Sequence, residues 1–243
     1  QAKTYHMLGI VAQELRDFEQ ARSHFQQALD IQIEFNDRYE QAKTYHMLGI
    51  VAQELRDFEQ ARSHFQQALD IQIEFNDRYE QAKTYHMLGI VAQELRDFEQ
   101  ARSHFQQALD IQIEFNDRYE QAKTYHMLGI VAQELRDFEQ ARSHFQQALD
   151  IYIEFSDRYE QAGTYNQLGE IERAQENYTE AKALLLKALE IFAEFSDEHN
   201  ASIVFNNLKA VYQATQDDAL LSAVAALINA SPEEVHSRFI AAD

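Results

Sequence analysis

Histidine is the residue type in this 243-residue chain that most readily suggests chemistry, because an imidazole can transfer protons near neutral pH or bind a metal. Most of the histidines fall into two series with a spacing of 40 residues: His6, His46, His86 and His126, and His24, His64, His104 and His144. On stacked helices, such positions lie roughly 10 Å apart. Two imidazoles at that distance cannot share a zinc ion, which needs its ligands at about 2 Å. We therefore expect polar or hydrogen-bonding histidines and no metal site.

Other catalytic arrangements are equally poorly supported by the residue types and their spacing. A serine precedes each histidine of the second series, as in Ser63 and His64, but adjacent residues on a helix point in different directions. The chain has no cysteine. All glycines except Gly163 recur at one position of a 40-residue pattern, so they cannot form a phosphate-binding loop. We expect no enzymatic activity and no cofactor.

The whole sequence is built on one 40-residue segment. Residues 1–40 recur letter for letter at 41–80 and 81–120, and residues 121–160 differ only at Tyr152 and Ser156. Residues 161–200 form a diverged fifth copy, and residues 201–243 keep little beyond a helical pattern. Such a period predicts a single solenoid domain over residues 1–243, with its last segment as a cap. Three identical copies indicate recent duplication or deliberate engineering.

Each repeat is predicted to form two helices. Asp77 and Asp97, each followed three residues later by Glu or Gln, are N-cap signals. The helical patterns that follow run from Arg78 to about Leu95 and from Phe98 to about Phe115. Because the links are so short, successive helices must pack antiparallel.

The apolar positions predict how these helices pack. The first helix is apolar over much of its circumference, as expected for an inner helix, whereas the second has a narrow stripe and is outer. Gly49 lies within the first helix, where glycine costs about 1 kcal/mol relative to alanine, so we expect close helix approach, with Ala61 as the small partner. Gln72 on the outer helix is replaced by Tyr152 and Phe192 in later repeats, where we expect partial burial.

One set of positions carries a family resemblance. These positions follow the pattern Tyr-x-x-Leu-Gly, Ala, then Ala-x-x-x-Phe-x-x-Ala: Tyr45, Leu48, Gly49, Ala52, Ala61, Phe65 and Ala68. The pattern resembles the tetratricopeptide repeat (TPR), although the period is 40 instead of 34 residues. The longer outer helix is similar to that of kinesin light chain and of bacterial NACHT or NB-ARC-associated arrays. The resemblance implies an all-α fold, a right-handed superhelical α-solenoid of antiparallel helix pairs, with a C-terminal capping helix pair plus a short final helix.

A second face of the inner helix is the candidate binding surface. Its residues follow 4, 3, 4, 3 spacing and therefore share one side of the helix. The resemblance places this face on the concave wall, where TPR ligands usually lie. The candidate residues are Lys3, His6, Ile10, Gln13, Tyr39, Lys43, His46, Ile50, Gln53, Tyr79, Lys83, His86, Ile90, Gln93, Tyr119, Lys123, His126, Ile130 and Gln133. A mixed aromatic, cationic and apolar face suits a peptide or a partner domain. The alternative is an ordinary solvated surface.

Composition narrows the range of partners. The formal net charge is -20, with 21 basic against 41 acidic residues, which disfavours nucleic acid and anionic membranes. No apolar run approaches the roughly 20 residues of a transmembrane helix. The absence of cysteine fits a reducing compartment, and we expect a cytoplasmic protein.

The beginning of the sequence suggests a second function. Gln1 lacks the Asp-Arg-Tyr-Glu entry turn that every later copy of the repeat has, so the first helix is uncapped. An uncapped repeat could associate with another copy, which makes homotypic end-to-end association the alternative to peptide binding.

Overall fold

The computed structural model describes residues 1–241, which contain thirteen α-helices and no strand. The helices are α1 Ala2–Glu14, α2 Phe18–Glu34, α3 Arg38–Glu54, α4 Phe58–Glu74, α5 Arg78–Glu94, α6 Phe98–Glu114, α7 Arg118–Glu134, α8 Phe138–Glu154, α9 Arg158–Ala174, α10 Tyr178–Glu194, α11 Glu198–Thr215, α12 Asp218–Ile228 and α13 Pro232–Ile240. The predicted all-α class and the predicted helix pairs are confirmed. Of these helices, none has both the length and the apolar character needed to cross a membrane.

The chain divides into two compact units, one formed by Gln1–Met127 and one that begins at Leu128. In the first unit, each inner helix packs on the outer helix that follows it: α1 on α2, α3 on α4 and α5 on α6. Each outer helix also packs on the next inner helix, α2 on α3 and α4 on α5. In the second unit, α9 packs between α8 and α10, and α10 also contacts α11 and α12. A single continuous domain over residues 1–243 stays a prediction.

The predicted aspartates begin the helices, and left-handed residues end them. Asp57 Oδ1 accepts a hydrogen bond from the Gln60 amide at 3.2 Å, which satisfies a free donor at the start of α4. At the other end of the preceding helix, Arg56 has a φ of 60°, and the Asp57 amide donates to the Ala52 carbonyl at 2.8 Å. These three-residue links reverse the chain between helices and thereby impose the antiparallel packing.

The recurring glycine marks a close approach between an inner and an outer helix. A Cβ atom placed on Gly49 would lie 2.6 Å from Cε1 of Phe65, a side chain that is fully buried. The expected close approach is therefore present, but the group nearest to the glycine is the Phe65 ring and not the predicted Ala61. Ala61 is buried in the same cluster, with Leu88 and Val91 of the next inner helix.

The outer-helix position that changes from glutamine to an aromatic residue is more buried than expected. Tyr152 is only 1% exposed and Phe192 only 4%, so the prediction of partial burial underestimated the packing. Gln72 at the same position is 5% exposed. The reason is that the next inner helix closes over this site: Gln81 Nε2 donates to the Gln72 carbonyl at 3.0 Å, and Gln161 Nε2 donates to the Tyr152 carbonyl at 3.0 Å.

The second unit ends in helices that cover its apolar edge. Ser231 caps α13 in a complete capping box with Glu234, and Pro232 occupies the first helical position. Val235 and Phe239 of α13 are fully buried in the same cluster as Leu208 of α11. The predicted capping helices are therefore present.

Candidate functional site

Clefts open between successive inner helices of the first unit, and we call them the repeat clefts. Each is lined mainly by one inner helix, with a histidine from the inner helix before it and a glutamate from the inner helix after it. The C-terminal end of an outer helix and the turn that follows complete the lining. One cleft, of about 220 Å³, is lined by His6, Tyr39, Ala42, Lys43, His46, Met47, Ile71, Gln72, Asp77 and Glu80. The next, of about 250 Å³, is lined by His46, Tyr79, Ala82, Lys83, His86, Met87, Ile111, Gln112, Phe115, Asp117 and Glu120. Nearly all the lining positions of the second cleft are those of the first, advanced by 40 residues.

A wider opening lies at the start of the chain. It has a volume of about 800 Å³ and is lined by the corresponding residues of the first repeat, including Lys3, His6 and Gln32. Its lining has no tyrosine and only one histidine, so the complete cleft chemistry is presented twice within residues 1–127.

The charged groups of the clefts form an acidic rim with one lysine in each repeat. Lys43 Nζ lies 2.6 Å from Glu40 Oε1 and 4.4 Å from the centroid of the Tyr39 ring. The hydrogen bond to Glu40 raises the pKa of Lys43. Because this glutamate neutralises the lysine, Asp77 contributes net negative charge to its cleft. Asp77 caps the Glu80 amide and accepts a hydrogen bond from the Tyr39 hydroxyl at 3.2 Å.

The inner histidines join neighbouring helices. His46 Nδ1 is within hydrogen-bonding distance, 3.0 Å, of Thr84 Oγ1 on the next inner helix, and its ring meets the edge of Phe65 at 5.3 Å. His6 and His86 make the equivalent contacts with the next inner helix, each at 3.0 Å. Burial lowers the pKa of His46 to about 4, although nearby Glu80 opposes this shift. These histidines are therefore neutral at physiological pH and hold the cleft walls together.

A buried carboxamide lines each cleft beside the histidines. Gln72 and Gln112 are both 5% exposed, and the Oε1 atom of each is buried without a hydrogen-bond partner. A buried acceptor without a donor costs about 1–3 kcal/mol. The two glutamine oxygens are therefore the cleft acceptors that would gain most from a hydrogen-bond donor.

The structure separates the predicted binding face into two parts. Tyr39, Lys43 and His46, with their equivalents Tyr79, Lys83 and His86, line the clefts. Ile50 instead packs against the buried cluster around Phe65, as Ile10 does in the preceding repeat. The Oε1 atoms of Gln13, Gln53, Gln93 and Gln133 are buried. Ile90 is half-buried in the equivalent position.

The predicted residues on α7 fall in both units. In the first unit, Lys123 Nζ lies 2.6 Å from Glu120 Oε1 and 4.9 Å from the Tyr119 ring centroid, which reproduces the arrangement at Lys43. His126 belongs to the same unit, and burial lowers its pKa to about 4. In the second unit, Ile130 packs against the cluster around Phe145, and Gln133 Nε2 donates to Glu170 Oε2 at 3.5 Å.

Several cleft residues lie outside the predicted binding face. They come from the outer helix and the turn after it, and from the neighbouring side of the inner helix: Met47, Ile71, Gln72, Asp77 and Glu80. A helical-face analysis treats one helix at a time, so it cannot combine them. The position of the Asp-Arg-Tyr-Glu turn in the sequence could have indicated the acidic cleft residues, because the turn places them beside the start of an inner helix.

The inner surface of the second unit has different chemistry. Asn207 Nδ2 donates to Asn166 Oδ1 at 3.0 Å and to Glu170 Oε1 at 2.8 Å. Gly163, which stands where earlier repeats have lysine, has open space around it. Across residues 1–241, no group of three or more His, Asp or Glu is arranged to hold a metal ion.

Comparison with known proteins identifies the repeat. A family model described as "Tetratricopeptide repeat" matches residues 1–74, 80–154 and 160–220. No curated protein sequence matches this chain.

Solved structures share the fold at low sequence identity. BtubC (BKLC) from P. vanneervenii is 20% identical, with a TM-score of 0.71 and 93% of each chain covered. A putative kinesin light chain with nearly identical TPR-like repeats, from Podosopora anserina, is 16% identical, with a TM-score of 0.68 over 81% of this chain and 96% of that one. A signal transduction ATPase with a TPR sensor from Pyrococcus horikoshii is 16% identical, with a TM-score of 0.81 over 98% of this chain and 37% of that one.

Proposed function

The chain belongs to the tetratricopeptide repeat family, and from that premise we propose that it is a protein-interaction scaffold whose inner helices bind a peptide or partner domain at the repeat clefts. Repeats of this family generally mediate protein–protein interactions, and the fold is typically a non-catalytic scaffold. The observation that carries the proposal is the repetition of one cleft chemistry at a 40-residue interval within residues 1–127. We propose further that the chain has no catalytic activity and acts in the cytoplasm, as its lack of cysteine favours.

The cleft surface is suited to recognising individual side chains of a bound peptide or partner. Ala42, Met47 and Ile71 supply apolar walls, while Tyr39 and Lys43 stand at the rim. Ligands bind best where a few polar groups converge on an apolar surface. The wider predicted face, including Ile10, Ile50, Ile90 and Ile130 with the neighbouring glutamines, would extend this surface along each inner helix.

Selection from a displayed random peptide library tests the scaffold proposal. We expect enrichment of peptides whose affinity falls about tenfold, or 1.4 kcal/mol, when the exposed cleft residues Tyr79 and Lys83 are both replaced by alanine. The matched control replaces Arg102 and Gln106, which are exposed on the outer helix α6, and it should leave the affinity unchanged. Selected peptides that tolerate the cleft variant but not the outer-helix variant would contradict the proposal.

A second candidate function is self-association through α1. Val11 is 48% exposed, whereas the equivalent Val51 is fully buried against α2. Met7, Leu8 and Leu15 on the same helix are also exposed. In the second unit, α12 and α13 cover the apolar edge of α10 and α11. The exposed α1 face of a second copy is therefore the matching apolar surface, and the association that we propose is symmetric.

Light scattering over a dilution series tests this association. We expect a concentration-dependent dimer of the 28.4 kDa chain, and we expect Val11→Glu with Leu15→Glu to restore the monomer, because each glutamate would place a charge in the apolar contact. Both side chains are exposed, so the variant should fold normally. The control is Glu14→Gln, on the same helix, which should still dimerise. A chain that is monomeric at every concentration excludes this function.

A further inference from the structure

We propose that the repeat clefts bind the cationic side chains of an extended peptide that carries lysine or arginine at every third residue. This inference rests on the proposed scaffold function and names the class of partner. It is carried by the acidic rim, by the unpartnered glutamines and by the 40-residue repetition of both.

The rim of each cleft already holds a cation. Lys83 Nζ lies 4.4 Å from the centroid of the Tyr79 ring and 2.6 Å from Glu80 Oε1. A ring face beside a carboxylate is a favourable place for an ammonium or guanidinium group. Asp117 lines the same cleft and caps the Glu120 amide at 3.4 Å. An incoming cation therefore meets the Asp117 carboxylate, beside a tyrosine ring that Lys83 already contacts, on a chain whose net charge is -20.

The buried glutamines are the independent observation. Gln72 and Gln112 each line a cleft, and each has an Oε1 atom that is buried without a donor. Lysine and arginine side chains are donors with no acceptor atom. A cationic side chain in the cleft thus offers the donor that the carboxamide oxygen lacks, and the glutamine side chain rotates towards the cleft to meet it. An acidic side chain would instead add a second acceptor. Met87 and Ile111 form an apolar wall for the methylene groups of the same side chain.

The size of the clefts favours a side chain over a small-molecule ligand. Their volumes of about 220 and 250 Å³ lie below the roughly 300 Å³ at which small-molecule pockets usually begin. The apolar walls and the charged rim match a long side chain that ends in a charge.

The repetition sets the spacing in the ligand. Consecutive inner helices are in contact, because His46 of α3 reaches Thr84 of α5 at 3.0 Å. Helices in contact have axes about 8–10 Å apart. A polyproline II peptide has three residues per turn and rises about 3.1 Å per residue, so every third side chain lies on one face about 9 Å from the last. This spacing matches that of the clefts.

Fluorescence anisotropy with three labelled peptides tests the proposal. The first is (Arg-Pro-Pro)₄, the second has the same composition with its arginines contiguous, and the third is (Glu-Pro-Pro)₄. We expect the periodic arginine peptide to bind about tenfold more tightly than the contiguous one, and the glutamate peptide not to bind. Equal affinity for the two arginine peptides would reduce the effect to general charge attraction and overturn the proposal.

Charge-removing variants locate the binding. Replacing Asp37, Asp77 and Asp117 by asparagine removes three cleft charges while keeping good N-caps, because asparagine caps a helix as well as aspartate does. The matched control replaces Asp30, Asp70 and Asp110, which are exposed on the outer helices. We expect a loss of about tenfold or more with the cleft variant and little change with the control. Equal losses with both variants would overturn the proposal.

A separate variant tests whether the glutamines contribute to peptide binding. Gln72→Tyr and Gln112→Tyr introduce the residue that the chain itself buries at Tyr152, so the fold should tolerate them. We expect weaker binding of the periodic arginine peptide by about tenfold, with unchanged helicity in circular dichroism. Unchanged affinity would show that the glutamines do not contact the ligand and would overturn this part of the proposal.

The outcomes separate this proposal from the scaffold function. If the periodic arginine peptide fails to bind while library peptides bind and depend on Tyr79 and Lys83, the cation proposal fails and the scaffold function stands. If no library peptide depends on the cleft residues, the scaffold function fails, and the cation proposal fails with it.

Discussion

Acidification from about pH 7 to about pH 5 is expected to destabilise the protein by about 2 kcal/mol for each of His46, His86 and His126. Burial lowers the pKa of His46, His86 and His126 to about 4, whereas an exposed histidine in the unfolded chain has a pKa near 6.5. Between these two values the unfolded state binds more protons than the folded state. The neutral histidines therefore contribute full stability above about pH 6.5, and this contribution is lost as the pH falls towards 4.

The contacts around the histidines explain why acidification destabilises the folded state. Thr84 is within hydrogen-bonding distance of His46, and the adjacent Phe65 ring excludes water from one side of the imidazole. Glu80 favours protonation of His46 and Lys83 opposes it, but burial outweighs both. Protonation therefore introduces a poorly solvated charge between two inner helices.

Urea denaturation at several pH values measures the effect. Replacing His46 and His86 by asparagine, the residue that the chain places at the equivalent Asn166, should flatten the pH dependence by about 2 kcal/mol per site. The control Ser103→Ala changes an exposed residue of the outer helix α6 that has no titratable side chain, and it should leave the pH dependence unchanged. If the variant without His46 and His86 kept the same dependence of unfolding free energy on pH as the original chain, these histidines would not be the source of the acid sensitivity.

The helices and their order could be predicted from sequence because each boundary has a local chemical cause. Asp57 and Asp77 cap the helices that follow them, and the left-handed residues Arg56 and Asn76 end the helices before them. These signals lie within a few residues of the structure that they determine. The 40-residue period then repeats the same local result along the chain.

Burial at the ends of the outer helices could not be predicted in the same way. Whether Gln72 or Tyr152 is covered depends on the next inner helix, whose Gln81 or Gln161 closes over the site. The residues of the candidate binding face could not be fully predicted for the same reason. Helical spacing grouped Lys43 with Ile50 because both lie on one helix, but it contains no information about Asp77, which enters the cleft from a different element.

The recurring glycines lead to the second large prediction, that Gly89→Ala destabilises the protein by about 2 kcal/mol. A Cβ atom at Gly89 would lie 2.6 Å from two ring carbons of Phe105, which is fully buried. Overpacking of this kind costs about 1–3 kcal/mol, and we expect the upper end of that range because the contact is with a rigid ring. The better helix propensity of alanine offsets about 1 kcal/mol of this cost.

Gly163→Ala is the matched control because it makes the same chemical change in the interior of another inner helix. A Cβ atom at Gly163 would meet no atom within 4 Å, so only the gain in helix propensity remains, and we expect stabilisation of about 1 kcal/mol. Chemical denaturation of the two variants should therefore give changes of opposite sign. Stabilisation by both would mean that the Phe105 ring can yield, and that the glycine at this position does not set the distance between inner and outer helices.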